Sequence, residues 1–142
     1  MNLWPPYLAA GIRVRHISDD YRRARVELRL GLLNRNYVNV HFGGSLFAMT
    51  DPFYMLMYLK NLGPDYVVWD KSAAIDFIRP GRGTVVAEFA LDEADFQHAR
   101  DQAVRQRSVL VRHPVEICDG EGTVVARVER TIYIRRKRSE PA

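Results

Sequence analysis

One carboxylate stands alone in a long apolar stretch of the chain. Residues 41–63, HFGGSLFAMTDPFYMLMYLKNLG, contain Asp51 as their single acid, and the pair Gly43-Gly44 opens the stretch. Glycines at the start of a helix leave backbone N–H groups without partners, beside the positive end of the helix dipole. Such donors suit a carbonyl oxygen that gains negative charge, and apolar surroundings make a carboxylate a stronger base near neutral pH. The stretch therefore combines the parts of an oxyanion site with a candidate base or nucleophile.

Each of these residues also has a structural interpretation. Asp before proline is typical of a helix start, with Asp51 as the N-cap and Pro52 as the first helical residue. The segment would then form two helices that break near Thr50. Gly43-Gly44 could let the helix start pass close to another backbone, and Asn36 could be a turn residue. The residue types alone leave both interpretations open.

Hydrophobic periodicity predicts the elements that position these groups. Apolar side chains nearly all round residues 41–63 predict a buried helix that ends at Gly63-Pro64. Shorter helices are predicted at Leu3–Ala10 and Asp92–Arg107. Six strands are predicted at Ile12–Ile17, Arg25–Leu30, Ser72–Arg79, Thr84–Leu91, Ser108–Cys118 and Val124–Ile134, the middle two joined as a hairpin by PGRG. This order predicts an α+β domain in which a six-stranded antiparallel sheet wraps a long buried helix.

Composition indicates one ordinary globular domain over residues 1–142. The chain is 47% hydrophobic and 27% charged, and its only cysteine, Cys118, favours a reducing compartment. The N-terminus does not have the pattern of a secretion signal, and the longest apolar run is too short to span a bilayer. We therefore expect a cytoplasmic protein without a membrane partner.

The charge pattern argues against a nucleic-acid partner. The net charge is +4, but residues 135–142 alone contain four basic residues and one acid, so the rest of the chain is nearly neutral. A nucleic-acid binder should carry its basic face on the folded part. We interpret residues 135–142 as a solvated basic tail.

The segment NRNYVNVHFGGSLFAMTD resembles the active-site stretch of small hotdog-fold acyl-CoA thioesterases of the phenylacetate-pathway type. In those proteins an Asn precedes a Gly pair by seven positions, and an acid follows the first Gly by eight, which matches Asn36, Gly43 and Asp51. The wider sequence looks more like an uncharacterised branch of hotdog proteins, known as a domain of unknown function. Two features depart from the pattern: Phe42 stands where a His usually precedes the Gly pair, with His41 one place earlier, and Pro52 follows the acid.

The resemblance implies a hotdog fold and hydrolysis of an acyl-CoA to free acid and coenzyme A. Asp51 would activate water, Gly43 and Gly44 would bind the oxyanion, and Asn36 would position the substrate. It implies no cofactor beyond the coenzyme A of the substrate, and the four histidines have no metal-binding spacing. The departures at Phe42 and Pro52 motivate an alternative, a non-catalytic module that binds an acyl group or acyl-CoA.

Spacing predicts that such a site needs two subunits. Gly43 and Asp51 are eight residues apart, which is about 12 Å along a helix. A base must lie within hydrogen-bond reach of its water, close to the carbonyl that is attacked. We therefore expect a homodimer, or a homotetramer built as a dimer of dimers, with Gly43 and Asn36 from one subunit and Asp51 from the other.

Six further residues are candidates for substrate contact. Arg79 precedes the PGRG turn and Arg82 lies within it, where both are either solvated or positioned to bind the phosphates of coenzyme A. The aromatic and imidazole candidates belong to the core, to a loop or to the lining of an acyl pocket; they are His41, Phe42, Phe47 and Tyr54.

Overall fold

The computed structural model describes residues 1–137, which form four helices and six strands. The helices are α1 (Pro5–Ala10), α2 (Gly43–Ala48), α3 (Phe53–Leu62) and α4 (Glu93–Arg105). The strands are β1 (Ile12–Ile17), β2 (Arg23–Arg29), β3 (Tyr66–Phe77), β4 (Thr84–Ala90), β5 (Val109–Cys118) and β6 (Val124–Arg136).

The strands form one antiparallel sheet in the order β1-β2-β4-β5-β6-β3. Alternate residues of each strand face inward, because side chains on a strand alternate between its two faces. They pack against the buried side of α3, which presents Phe53, Tyr54, Met57, Tyr58 and Leu62 to the core. The predicted α+β architecture, a six-stranded sheet around a buried helical segment, is confirmed.

The predicted hairpin between the third and fourth strands is wrong. β3 pairs with β6 from Tyr66–Arg136 to Phe77–Ala126, whereas β4 lies between β2 and β5. Residues 78–83 link strands that are not neighbours, and the amides of Ile78 and Arg79 donate to the carbonyl of Val125 at 2.9 and 3.0 Å. Turn residues let the chain reverse but do not select a partner strand. The 13-residue β6 gives the 12-residue β3 a longer partner than the seven-residue β4.

The helical stretch breaks where proline predicts. α2 ends at Ala48 and α3 begins at Phe53, so the predicted break near Thr50 is confirmed. The alternative that Asp51 caps α3 is wrong, because the N-cap position belongs to Pro52 and no side chain caps the helix. Among the described residues, no helix combines the length and the apolar character needed to cross a membrane.

Part of the predicted basic tail belongs to a strand. Arg135 and Arg136 belong to β6, where they pair with Val67 and Tyr66 of β3. The amide of Lys137 then donates to the carbonyl of Asp65 at 2.7 Å. The remaining part of the predicted tail, residues 138–142, lies outside the described residues. β3 is thus covered by β6 along one side, and its other side is an edge of the sheet.

Candidate functional site

A cleft of about 400 Å³ opens between the start of α2 and the chain that follows β3. It brings together four of the predicted site residues, Asn36, His41, Gly43 and Arg79. Its full lining is Asn36, Val40, His41, Gly43, Leu46, Phe77, Ile78, Arg79, Pro80 and Gly81. The walls are therefore mainly apolar, with a few polar groups at fixed places, as is common in small-molecule sites.

Two backbone amides at this cleft have no acceptor. The amides of Ser45 and Leu46 both donate to the carbonyl of Phe42, which closes the first turn of α2. Within residues 1–137 the amides of Gly43 and Gly44 donate to no group. A β-carbon on Gly43 would lie 2.8 Å from the ring of Phe77. The predicted close approach at the glycines is therefore to aromatic side chains and not to another backbone.

Asn36 organises the loop that enters the cleft. Its Oδ1 accepts hydrogen bonds from the amides of Val38 and Val40, both at 3.1 Å. Its Nδ2 donates to the carbonyl of His41 at 3.4 Å. This pattern is typical of a turn asparagine, and the same side chain lines the cleft.

His41 ties this loop to the segment after β3. Its amide donates to the carbonyl of Gly81, and its Nε2 donates to the carbonyl of Gly83, both at 3.0 Å. Nδ1 is buried and has no partner among the described residues. Burial lowers the pKa of His41, and the hydrogen bond to Gly83 only partly opposes this. We therefore assign a neutral imidazole with its proton on Nε2.

The other four candidates for substrate contact lie away from the cleft. Phe42 is exposed, and Arg82 is exposed on the segment after β3. Tyr54 is buried in the core, where its hydroxyl donates to the carbonyl of Pro114 at 2.9 Å. Phe47 packs under the guanidinium of Arg130, 5.6 Å from the ring centroid. The broken helix thus directs Phe47 and Tyr54 elsewhere in the protein.

Asp51 belongs to a second cluster, around the buried side chain of Arg130. Nη2 of Arg130 lies 2.9 Å from Oδ2 of Asp51 and 3.0 Å from Oδ1 of Asp70. Nε of Arg130 also donates to Asp70, at 3.2 Å. The Arg130 side chain is 3% exposed, whereas that of Asp51 is 54% exposed. Asp51 is therefore held by a buried cation but stays open to solvent on its other side, unlike the enclosed acid expected from the apolar sequence.

Neighbouring groups fix this cluster. The hydroxyl of Tyr7 donates to the backbone carbonyl of Asp51, and burial raises the pKa of that hydroxyl above its usual range. Thr50 Oγ1 donates to the carbonyl of Phe47 at 2.8 Å. Burial also raises the pKa of Asp70, although Arg130 opposes this shift. Asp51 is thus held at two places, since Tyr7 binds its backbone carbonyl and Arg130 binds its carboxylate.

Sequence reasoning missed Arg130, Asp70 and Tyr7. The signal was present in β6, where Val128, Arg130 and Ile132 occupy successive inward positions. A charged residue on the buried face of a strand needs a counter-charge, because an unpaired buried ion is very costly. Within residues 1–137 no group of three or more His, Cys, Asp or Glu side chains is arranged to hold a metal ion.

The cleft and Asp51 lie at different positions along β3. Gly43 packs against Phe77, whereas Asp51 shares Arg130 with Asp70. Asp70 and Phe77 are seven residues apart, about 23 Å along an extended strand. Asp70 and Phe77 nevertheless face the same, helical side of the sheet, because an irregularity between Asp70 and Ser72 shifts the alternation by one residue. The two parts of the predicted site therefore lie beside different stretches of β3, whose outer side is a free edge of the sheet.

Comparison with known protein families shows that one family model matches nearly the whole chain. Residues 1–134 match the family described as a domain of unknown function, DUF4442. The chain belongs to this family. No functionally curated protein matches the sequence of this DUF4442 protein.

Solved structures with low sequence identity share its fold. A protein of unknown function and probable thioesterase from Pseudomonas aeruginosa is 19% identical, with a TM-score of 0.79 over 89% of this chain and 84% of that one. A thioesterase from Haemophilus influenzae is 12% identical, with a TM-score of 0.69 over 99% and 90% of the two chains. The E. coli PaaI protein from the phenylacetic acid degradation operon is 16% identical, with a TM-score of 0.63 over 97% and 87%. The DUF4442 protein thus has the expected hotdog fold.

The buried imidazole of His41 predicts that stability falls in acid. Its folded-state pKa lies below the usual value of 6.5, so the unfolded chain binds the proton more tightly. Stability is then greatest above about pH 6.5 and decreases as the pH falls, by up to about 1.4 kcal/mol per pH unit for each such group. Burial lowers the pKa of His113 in the same way.

Urea unfolding from pH 7.5 to pH 5 measures this slope. We expect His41→Gln to reduce the slope and His98→Gln, at an exposed position of α4, to leave it unchanged. An equal slope in the His41 variant and the native protein would contradict the assignment of a neutral buried imidazole.

Proposed function

We propose that this DUF4442 protein hydrolyses acyl-CoA thioesters to the free acid and coenzyme A, at sites completed by two subunits. The observation that carries the proposal is the position of Gly43 and Asp51 at two points on the free edge of β3. The neighbours described as a thioesterase and a probable thioesterase support the reaction class.

An antiparallel pairing of β3 with its copy would bring these parts together. Lys71 is an extra residue at the irregularity between Asp70 and Ser72. If Asp70 lies opposite the partner subunit's Phe77, the twofold axis therefore passes through Ala74. That axis is perpendicular to the sheet, so both subunits keep their helices on the same side. Asp51 beside Asp70 then faces the partner subunit's Gly43 beside Phe77. The small side chains of Ser72, Ala73 and Ala74 leave room for the approach.

The proposed chemistry needs no group from outside the two chains. Asp51 removes a proton from water, and the resulting hydroxide attacks the thioester carbonyl carbon. The amides of Gly43 and Gly44 stabilise the oxyanion, at about 3 kcal/mol for each well-placed donor. The carbon–sulfur bond then breaks, and the leaving thiolate takes the proton from Asp51. A covalent route, with Asp51 as nucleophile, would use the same positions.

The proposed substrate would bind with its acyl group inside the cleft and its phosphates at the rim. Val40, Leu46 and Ile78 provide apolar walls for the acyl group. Arg79 at the cleft, with Arg82 nearby in sequence, would bind phosphates by charge-assisted hydrogen bonds. Arg79 forms no ion pair within the described part of the chain.

Thiol release from a panel of short, long and aromatic acyl-CoAs tests the reaction. We expect Asp51→Asn to lower kcat by about 10²- to 10⁴-fold, because the variant loses its general base. Asp101→Asn, an exposed acid on α4, is the matched control and should keep native turnover.

Turnover that survives Asp51→Asn would contradict the proposed role of Asp51. Acyl-CoA binding without turnover by the native chain would instead favour the non-catalytic binding module. The ion pair between Asp51 and Arg130 is the observation that favours this second function, since a paired carboxylate can serve a purely structural role.

The proposed pairing predicts how an edge substitution affects assembly. Ala74 is exposed on β3 and would lie at the twofold axis, opposite its own copy. Ala74→Glu would place two like charges directly opposite each other, which destabilises strand pairing. We expect this variant to be monomeric by light scattering and to lose turnover, with Ala74→Ser as a dimeric control. A dimeric, active Ala74→Glu protein would contradict the proposed β3 interface.

A further inference from the structure

We infer that Arg130 and Asp70 form a positioning pair that holds the Asp51 carboxylate without neutralising it. This inference rests on the proposed function, in which Asp51 is the base. It concerns residues that do not line the cleft, since neither Arg130 nor Asp70 belongs to the lining of that cavity.

The geometry of the guanidinium is the first argument. One nitrogen, Nη2, lies 2.9 Å from Asp51 and 3.0 Å from Asp70, so the two acids share one donor group. Asp70 is bound a second time through Nε at 3.2 Å, whereas Asp51 is bound only through Oδ2. Within residues 1–137, Oδ1 of Asp51 accepts no hydrogen bond. That oxygen remains available to a water molecule.

The charge of the cluster is the second argument. A carboxylate paired alone with a buried arginine is strongly stabilised in its ionised form and is a poor base. Here one positive group faces two acids, so the ionised cluster retains one net negative charge. Asp70 thereby offsets part of the field of Arg130 at Asp51. Asp51 is thus oriented by the cation within a cluster whose charges do not cancel.

The rigidity of Arg130 is the third argument. Its side chain is 3% exposed and packs over Phe47, and Nη1 lies 3.5 Å from Thr50 Oγ1. Its backbone is held on both sides, since Arg130 pairs with His113 of β5 and Ala73 of β3. Strand pairing on both sides and these side-chain contacts hold the guanidinium in one orientation, which in turn orients Asp51.

The titratable and charged groups around Asp51 come from several elements. Arg130 of β6 and Asp70 of β3 contact it directly, and Tyr7 of α1 binds its backbone. His113 of β5 lies beside Arg130 in register, but its Nε2 is engaged by the hydroxyl of Tyr58 at 2.8 Å. Asp70 is thus the acid that competes with Asp51 for the cation.

The experiment measures kcat and KM against pH for Asp70→Asn, Arg130→Lys and Arg130→Met. Asp70→Asn leaves Asp51 alone with the full charge of Arg130, so we expect the acid limb of kcat to move about one pH unit lower, with KM unchanged. Arg130→Met removes the group that holds the Asp51 carboxylate and should lower kcat about 100-fold. Arg130→Lys keeps the positive charge and should lower kcat less. Arg127→Met is the matched control, because Arg127 lies on the same strand as Arg130 and its ion pair with Glu116 of β5 is exposed.

A purely structural role would change stability and leave the pH profile of Asp70→Asn at the native position, and that result overturns the inference. If Asp51→Asn abolishes turnover while the three variants match the native protein, the inference fails and the proposed function stands. Turnover that survives Asp51→Asn makes the proposed function fail.

A double-mutant cycle for unfolding, with Asp51→Asn and Arg130→Met, tests the pairing without any turnover. We expect a favourable coupling between the two side chains. A coupling within error of zero overturns the inference whatever the catalytic result.

Discussion

Placing an arginine on the buried face of a β-sheet requires counter-charges at fixed positions, and Arg130 imposes that requirement on this protein. Its guanidinium is 3% exposed and is met by Asp51 and Asp70 at 2.9 and 3.0 Å. Removing both acids would leave the buried charge of Arg130 uncompensated, and breaking a buried ion pair in this way typically costs about 3–5 kcal/mol. The link between α2 and α3 and the start of β3 are therefore held to the same point of β6. The position of the candidate base follows from the position of this cation.

The free edge of β3 is the second constraint. Because β6 covers one side of this strand, the other side presents unpaired backbone groups, which sheets usually cover or protect. Pairing with a second copy would cover them, and the same pairing would join the cleft of one chain to the carboxylate of the other. Assembly and catalysis would then depend on the same 12-residue strand. This explains physically why a single chain separates Gly43 from Asp51.

Local features of the sequence predicted much of the fold. Pro52 predicted the helix break, and the helices predicted at Leu3–Ala10 and Asp92–Arg107 correspond to α1 and α4. Asp92 forms a capping box with Asp95 at the start of α4. Long-range choices were less accessible. The PGRG turn suggested a hairpin between β3 and β4. The pairing of a strand depends on all the strands that could pair with it, and β3 pairs with β6 instead of β4.

The candidate site was predictable to a similar extent. Asn36, His41, Gly43 and Arg79 do meet at one cleft, whereas Tyr54 belongs to the core. The Arg130 cluster depends on contacts between residues 60 to 80 positions apart, which no local spacing rule reports. Even so, the inward arginine of β6 was a visible signal that a buried acid must exist.

Subunit complementation tests the central claim most directly, that Gly43 of one chain acts with Asp51 of the other. Gly43→Pro removes the amide donor at a first helical position, where proline fits the backbone and the ring tip of the exposed Phe77 has to shift, and Asp51→Asn removes the base. Coexpression of the two inactive single variants should restore about a quarter of native turnover. Half of the dimers would be mixed, and each mixed dimer would hold one intact site and one site that lacks both groups. Coexpression of the native chain with the double variant should leave its mixed dimers inactive. The opposite pattern, with no recovery from the single variants and half-active mixed dimers from the double variant, would place both groups in one chain and contradict the account.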